Sequence, residues 1–176
     1  MKIGILGSGN IGGALGRTWA AAGHAVMFSG SRDQAKLEQL VGSLAGLLPL
    51  WDDSLGQAER VDAAALRLQS FYTGLERCFT QIVRVFNGAP PEGQDWHRRL
   101  LARMALDTPQ RPALLDQATA EVLAELLRFR HVVRHLYAYE LKPEQVHRLL
   151  TLAVTSWPQL ESQLLEFEAW CRQMLG

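Results

Sequence analysis

Apolar residues follow two different rhythms along this chain. In the first 41 positions the apolar runs are short. Ile3-Gly4-Ile5-Leu6 ends at Gly7, and a second run extends from His24 to Ser29. Runs of this length bounded by glycine and serine predict strands. Ile11–Ala22, which stops at Gly23, and Asp33–Val41 have helical spacing instead. From Gly42 the pattern breaks. Gly42, Gly46, Pro49 and Gly56 argue against a regular element and predict a linker over 42–56. Beyond Gln57 the strand rhythm does not return. Leu68, Phe71, Leu75, Phe79, Ile82 and Phe86 recur at steps of three and four, which predicts a long amphipathic helix over Ala58–Phe86. Asn87-Gly88-Ala89-Pro90-Pro91 ends it. A second helix is expected over Asp95–Leu106, broken by Pro109 and Pro112. Asp116 is a good N-cap for a third, running to about Leu141. Pro143 suits the first turn of a fourth, and Pro158 should kink or split it. The expected fold is mainly α: a short βαβ fragment over 1–41, a linker over 42–56, and an antiparallel bundle of four to five helices over 57–176.

Composition changes this picture little. The 176 residues carry 18 basic and 18 acidic side chains, so no global charge draws the chain to nucleic acid or membrane, and any such role must rest on a local patch. Hydrophobic residues make up 48%, enough for a real core. Cys78 and Cys171 fit neither a zinc spacing nor a secreted disulfide framework, which points to a reducing, cytoplasmic setting and to no metal site. The N-terminus lacks the form of a signal peptide, and no apolar stretch approaches the length of a membrane span.

The candidate chemistry lies on the third expected helix. At about 100° per residue, Val122, Leu126, Phe129, Val133 and Leu136 form an apolar stripe that should face the core. Leu123, Leu127, Arg130, Arg134, Tyr137 and Leu141 form the neighbouring stripe, and Arg128, His131 and His135 lie further round. Arg130, Arg134 and Tyr137 should therefore flank the buried edge. Arg128-Phe129-Arg130-His131-Val132-Val133-Arg134-His135 concentrates guanidinium and imidazole groups into a local anion-binding patch. RNA cleavage without a metal needs a base to take the 2′-OH proton and a cation to stabilise the phosphate transition state. Histidine suits the first task and arginine the second. Arg130 and His135 lie about 140° apart round one helix, so a cleft between helices, most simply a twofold dimer interface, would be needed to bring them together.

Arg130-x4-His135-x-Tyr137 matches the Arg-x4–6-His-x-Tyr motif of the HEPN superfamily and its HepT-like branch. The flanks from Phe129 to Leu141, and Glu92-Gly93-Gln94-Asp95-Trp96-His97-Arg98-Arg99-Leu100-Leu101, also resemble HepT-like sequences, so the resemblance covers about 57–176. It implies a metal-independent endoribonuclease toxin acting on RNA as a homodimer, needing no cofactor. The implied partner is an MNT-type nucleotidyltransferase antitoxin. Carried over, Arg130 stabilises phosphate, His135 is the general base, and Tyr137 positions RNA and is the target of adenylylation. Arg134 is a supporting cation. Elsewhere, His97 beside Arg98 and Arg99 reads as a solvated face, with a second RNA-contacting patch as the alternative. Trp51, Trp96, Trp157 and Trp170 read as packing anchors, and His24 and His147 carry no signal.

Gly7-Ser8-Gly9-Asn10-Ile11-Gly12 is a GxGxxG between an expected strand and an expected helix, the setting of a dinucleotide fingerprint. Gly7, Gly9, Asn10, Ile11 and Gly12 would let backbone approach a pyrophosphate. No acid follows the second strand to hold a ribose 2′-OH, whereas Ser31 and Arg32 suit a 2′-phosphate, favouring NADP. The segment resembles the opening of the Rossmann domain of deazaflavin-dependent NADP reductases. That resemblance ends near residue 41, and the remaining sequence supplies no further parallel strands. Three functions stand side by side: the RNase toxin, an NADP-dependent oxidoreductase or NADP-binding protein, and a non-catalytic helical dimerisation module.

Overall fold

The computed structural model describes residues 2–6, 25–29, 31–51, 56–135 and 141–174, with side chains over 35–51, 56–133 and 141–174. Strands β1 (Lys2–Leu6) and β2 (Ala25–Ser29) pair in parallel, with Lys2 opposite Ala25 and Leu6 opposite Ser29. The helix expected between them, and Gly7, Gly9, Asn10, Ile11 and Gly12 with it, lie outside the described residues.

Five α-helices follow among the described residues: α1 (Ser31–Ala45), α2 (Gln57–Phe86), α3 (Trp96–Met104), α4 (Gln117–His135) and α5 (Pro143–Gln173). The protein is mainly helical. Helix α2 is the centre of the arrangement, because α1, α3, α4 and α5 all pack on it. Leu68, Phe71, Leu75 and Phe79 of the expected stripe lie on its buried face, while toward its end Val83 is buried and the expected Ile82 and Phe86 are half-buried. Asn87 ends it, followed by Gly88 at φ +84°, a left-handed conformation that glycine adopts without strain.

Residues 42–51 of the expected linker are built into the core. Helix α1 runs through Gly42 to Ala45, and a single 3₁₀ turn occupies Leu48–Leu50. Leu37, Val41, Leu44, Leu47 and Trp51 are all buried, and Trp51 stacks on His147 of α5 at a centroid distance of 4.9 Å. The physical reason is a leucine spacing, Leu37-x3-Val41-x2-Leu44-x2-Leu47, that outweighs the helix penalty of Gly42. Gly74 in α2 makes the approach close: a Cβ there would lie 3.0 Å from Leu37 Cδ2. The Arg67 guanidinium donates to the Ser43 carbonyl at 2.6 Å and ties the two helices again.

Of the kink or split expected at Pro158, helix α5 excludes the split. It is continuous across Pro158, which neither splits it nor ends it. Pro158 is exposed, so the Val154 carbonyl, which loses its usual N–H partner there, is within reach of water. Trp157 stays in the core against Phe71, while Trp170 packs with Phe86 and Phe167.

Candidate functional site

Helix α4 opens as the sequence predicts. The Asp116 carboxylate accepts the Thr119 N–H at 2.7 Å, an N-cap that holds its carboxyl below the usual carboxylate range. The core face of α4 is rotated from the expected stripe. Leu123, Leu126, Leu127 and Phe129 are buried, while Val122 and Val133 are only half-buried. That rotation carries Arg130 inward. Expected to flank the buried edge, Arg130 is 7% exposed.

A buried arginine needs an anion, and α2 supplies it. Glu76 lies on the buried face of α2, one residue after Leu75 and three before Phe79. Its Oε2 is 3.2 Å from Arg130 Nη2. Its Oε1 is in contact with Nδ1 of His97, on α3. The circuit closes between Arg130 Nη1 and His97 Nε2 at 3.4 Å. Three helices thus contribute one member each to a cycle of carboxylate, imidazole and guanidinium. His97, expected on a solvated face, is buried; it falls in step with Leu100, Leu101 and Met104 on the inner face of α3. The ring of Trp96 lies 3.6 Å from the His97 ring, and His131 meets it edge-on at 5.3 Å.

Beside this cycle, Arg130 Nε and the Tyr72 hydroxyl have no hydrogen-bond partner among the described residues. Tyr72 precedes Glu76 by one helical turn and is 1% exposed. Burial pushes its phenol far above the ordinary range, the Glu76 carboxylate adds to the rise, and Arg130 opposes it. The phenol is therefore neutral at any physiological pH.

A second buried arginine shows the contrast. Arg111, 2% exposed, lies in the loop between α3 and α4. Its Nε donates to Asn87 Oδ1 at 3.2 Å, its Nη1 to the Pro112 carbonyl at 2.8 Å and to the Leu106 carbonyl at 3.4 Å, and its Nη2 to the Arg103 carbonyl. It collects the carbonyls left at the end of α3 and joins them to the end of α2.

Of the candidate catalytic and cofactor-binding residues, Arg130 alone has a described side chain. Arg134 and His135 are the last two described residues of α4, and the side chains of Arg134 and His135 and the whole of Tyr137 fall outside the described residues. Ser31 and Arg32 open α1, again without described side chains. Glu76, Tyr72 and Arg111 carry no expectation from the sequence, and His97 carries the wrong one, a solvated face. An acid within the apolar stripe of α2 is the signal that could have found Glu76; Arg111, in a loop between prolines, gives none.

Among the described residues no group of three or more His, Cys, Asp or Glu side chains is placed to hold a metal ion, and no helix is long and apolar enough to cross a membrane. No curated protein and no solved structure matches the chain. Two family models do. Residues 2–66 match the family described as NADP oxidoreductase, coenzyme F420-dependent, which extends the N-terminal resemblance beyond residue 41, through α1 and into α2. Residues 63–171 match the family described as HepT-like protein, a span that takes in Glu76, His97, Arg130, His135 and Tyr137 and covers more than half of the chain. By that match, the chain belongs to the HepT-like protein family.

Proposed function

We propose that this chain is a metal-independent endoribonuclease toxin of the HEPN type, paired with an MNT-type nucleotidyltransferase antitoxin. The observation that carries the reading is the HepT-like match over 63–171, because it encloses the whole Arg130-x4-His135-x-Tyr137 motif. His135 takes the proton from a ribose 2′-OH, the freed oxygen attacks the adjacent phosphorus, and the bond to the 5′-oxygen breaks, that oxygen taking up a proton to leave as a hydroxyl. Arg130 stabilises the charge that gathers on the phosphoryl oxygens. Arg134, four residues on along α4, is a supporting cation. Tyr137 positions the RNA, and its hydroxyl is the group the antitoxin adenylylates.

The geometry places two demands on this mechanism. Arg130 is already paired with Glu76, so a phosphate must use donors that the pair leaves unspent. A guanidinium has five N–H donors, and Glu76 and His97 engage two of its nitrogens. Helix α4 is also regular through His135, which keeps the Arg130 and His135 backbone positions about 140° apart round its axis. A second copy of the chain, related by a twofold axis, supplies the facing surface on which both groups meet one phosphate.

The test is RNA cleavage by purified protein in excess chelator. Wild type should cut. His135→Ala should lose about 10²–10⁴-fold in rate. Arg130→Lys, which keeps a cation opposite Glu76, should fold and lose about 10²–10³-fold. A folded dimer with unmodified Tyr137 that leaves RNA intact would favour a non-catalytic helical module instead.

The match over 2–66 and the parallel pairing of β1 with β2 favour a second reading for the N-terminal segment, NADP binding through Gly7–Gly12, Ser31 and Arg32. It predicts NADPH binding, followed by nicotinamide fluorescence, that weakens in Arg32→Ala. Equal affinity in the variant, or no binding by wild type, would dismiss it.

A further inference from the structure

We propose that Glu76 and His97 are positioning residues that fix the guanidinium of Arg130 for its work on phosphate, an inference that rests on the ribonuclease reading above.

The hydrogen-bond cycle determines its own protonation. Arg130 Nη1 can only donate, so His97 Nε2 must accept. His97 Nδ1 then carries the proton and donates it to Glu76 Oε1. Glu76 Oε2 accepts from Arg130 Nη2. Every link is satisfied by neutral His97, ionised Glu76 and cationic Arg130. Two contacts at different nitrogens, from helices α2 and α3, fix both the place and the roll of the guanidinium plane. Trp96, against the His97 ring, holds the imidazole plane in turn.

Arg111 separates this arrangement from a purely structural one. That arginine uses all three nitrogens on partners within its loop and helix ends. Arg130 is held at both Nη atoms, yet among the described residues its Nε has no partner, and neither has the neighbouring Tyr72 hydroxyl. A packing role is poorly served by such a group, since apolar side chains would fill the space at no loss. A guanidinium that is oriented but not saturated suits an anion that arrives later.

The experiment uses the full-length chain and two conservative variants, Glu76→Gln and His97→Asn. The first keeps the size and one oxygen of the side chain. The second keeps a donor toward Glu76 but loses the acceptor for Arg130. Nitrogen-15 NMR should show Arg130 Nη signals that are separately resolved in wild type and averaged by rotation in both variants, with His97 protonated at Nδ1 in wild type. RNA cleavage should fall on the order of 10²-fold in kcat, with KM little changed. Resolved Nη signals in the variants, His97 protonated at Nε2, or cleavage as fast as wild type would each overturn the proposal while leaving the ribonuclease reading intact. Wild type no more active than His135→Ala would remove the ribonuclease reading, and this proposal with it.

Discussion

Glu76 and Arg130 show what one buried charge requires of its neighbours. Removing the acid alone leaves a guanidinium in the core without its anion, and Glu76→Ala should cost about 3–5 kcal/mol by urea denaturation. Replacing both members, as Glu76→Leu with Arg130→Met, should cost less than Glu76→Ala, because no unpaired charge is left and only the hydrogen bonds to His97 are lost. A Glu76→Ala variant as stable as wild type would mean the pair does not hold α2 to α4. Arg111 makes a similar demand at the ends of α2 and α3. Arg111→Ala should lose at least roughly 1.5–3 kcal/mol, since several carbonyls would be left without a donor. Sequence reading found Arg130 through a linear motif, but not the groups that hold it. Glu76 and His97 lie 54 and 33 residues before it. Pairing over such distances is set by helix packing, which a short motif does not encode. The residue-level clue was weaker: Glu76 interrupts an apolar stripe, and His97 falls in phase with Leu100, Leu101 and Met104.

The helices were legible where their ends carry capping chemistry. The Asp116 cap, the Pro143 start and the Asn87-Gly88 stop all stand as local chemistry dictates. Asp116→Ala should cost about 1 kcal/mol near neutral pH. The sign of its pH dependence follows from a carboxyl lowered in the folded state by the Thr119 bonds. The ionised cap contributes fully above the ordinary carboxylate value of about 3.9, and its contribution fades as pH falls from there through the folded value. The stability gap between wild type and Asp116→Ala should therefore narrow in acid, and a gap that widens would contradict the assignment. Helix α1 was misjudged past Val41, because two glycines and a proline mask a leucine periodicity that only α2 and α5 complete. Leu44, fully buried, gives the measurement: Leu44→Ala should cost about 2–5 kcal/mol, whereas a linker residue would cost almost nothing. Pro158 does not split α5, because its consequence depends on exposure, which periodicity alone does not give.

Across the molecule, one chain joins two resemblances. Their spans overlap at residues 63–66, on α2, so no stretch of unassigned sequence divides them. The helical part, with Arg130 held between α2 and α3, belongs to the HepT-like family, and its motif carries the proposed cleavage chemistry. The most direct measurement is the end group left on RNA cut in chelator by protein whose mass excludes a nucleotide on Tyr137. Attack by a neighbouring 2′-oxygen must leave a cyclic 2′,3′-phosphate on the upstream fragment and a free 5′-hydroxyl on the downstream one. The account predicts those ends from wild type and intact RNA from His135→Ala. Equal cutting by both proteins, or RNA left whole by both, would contradict it.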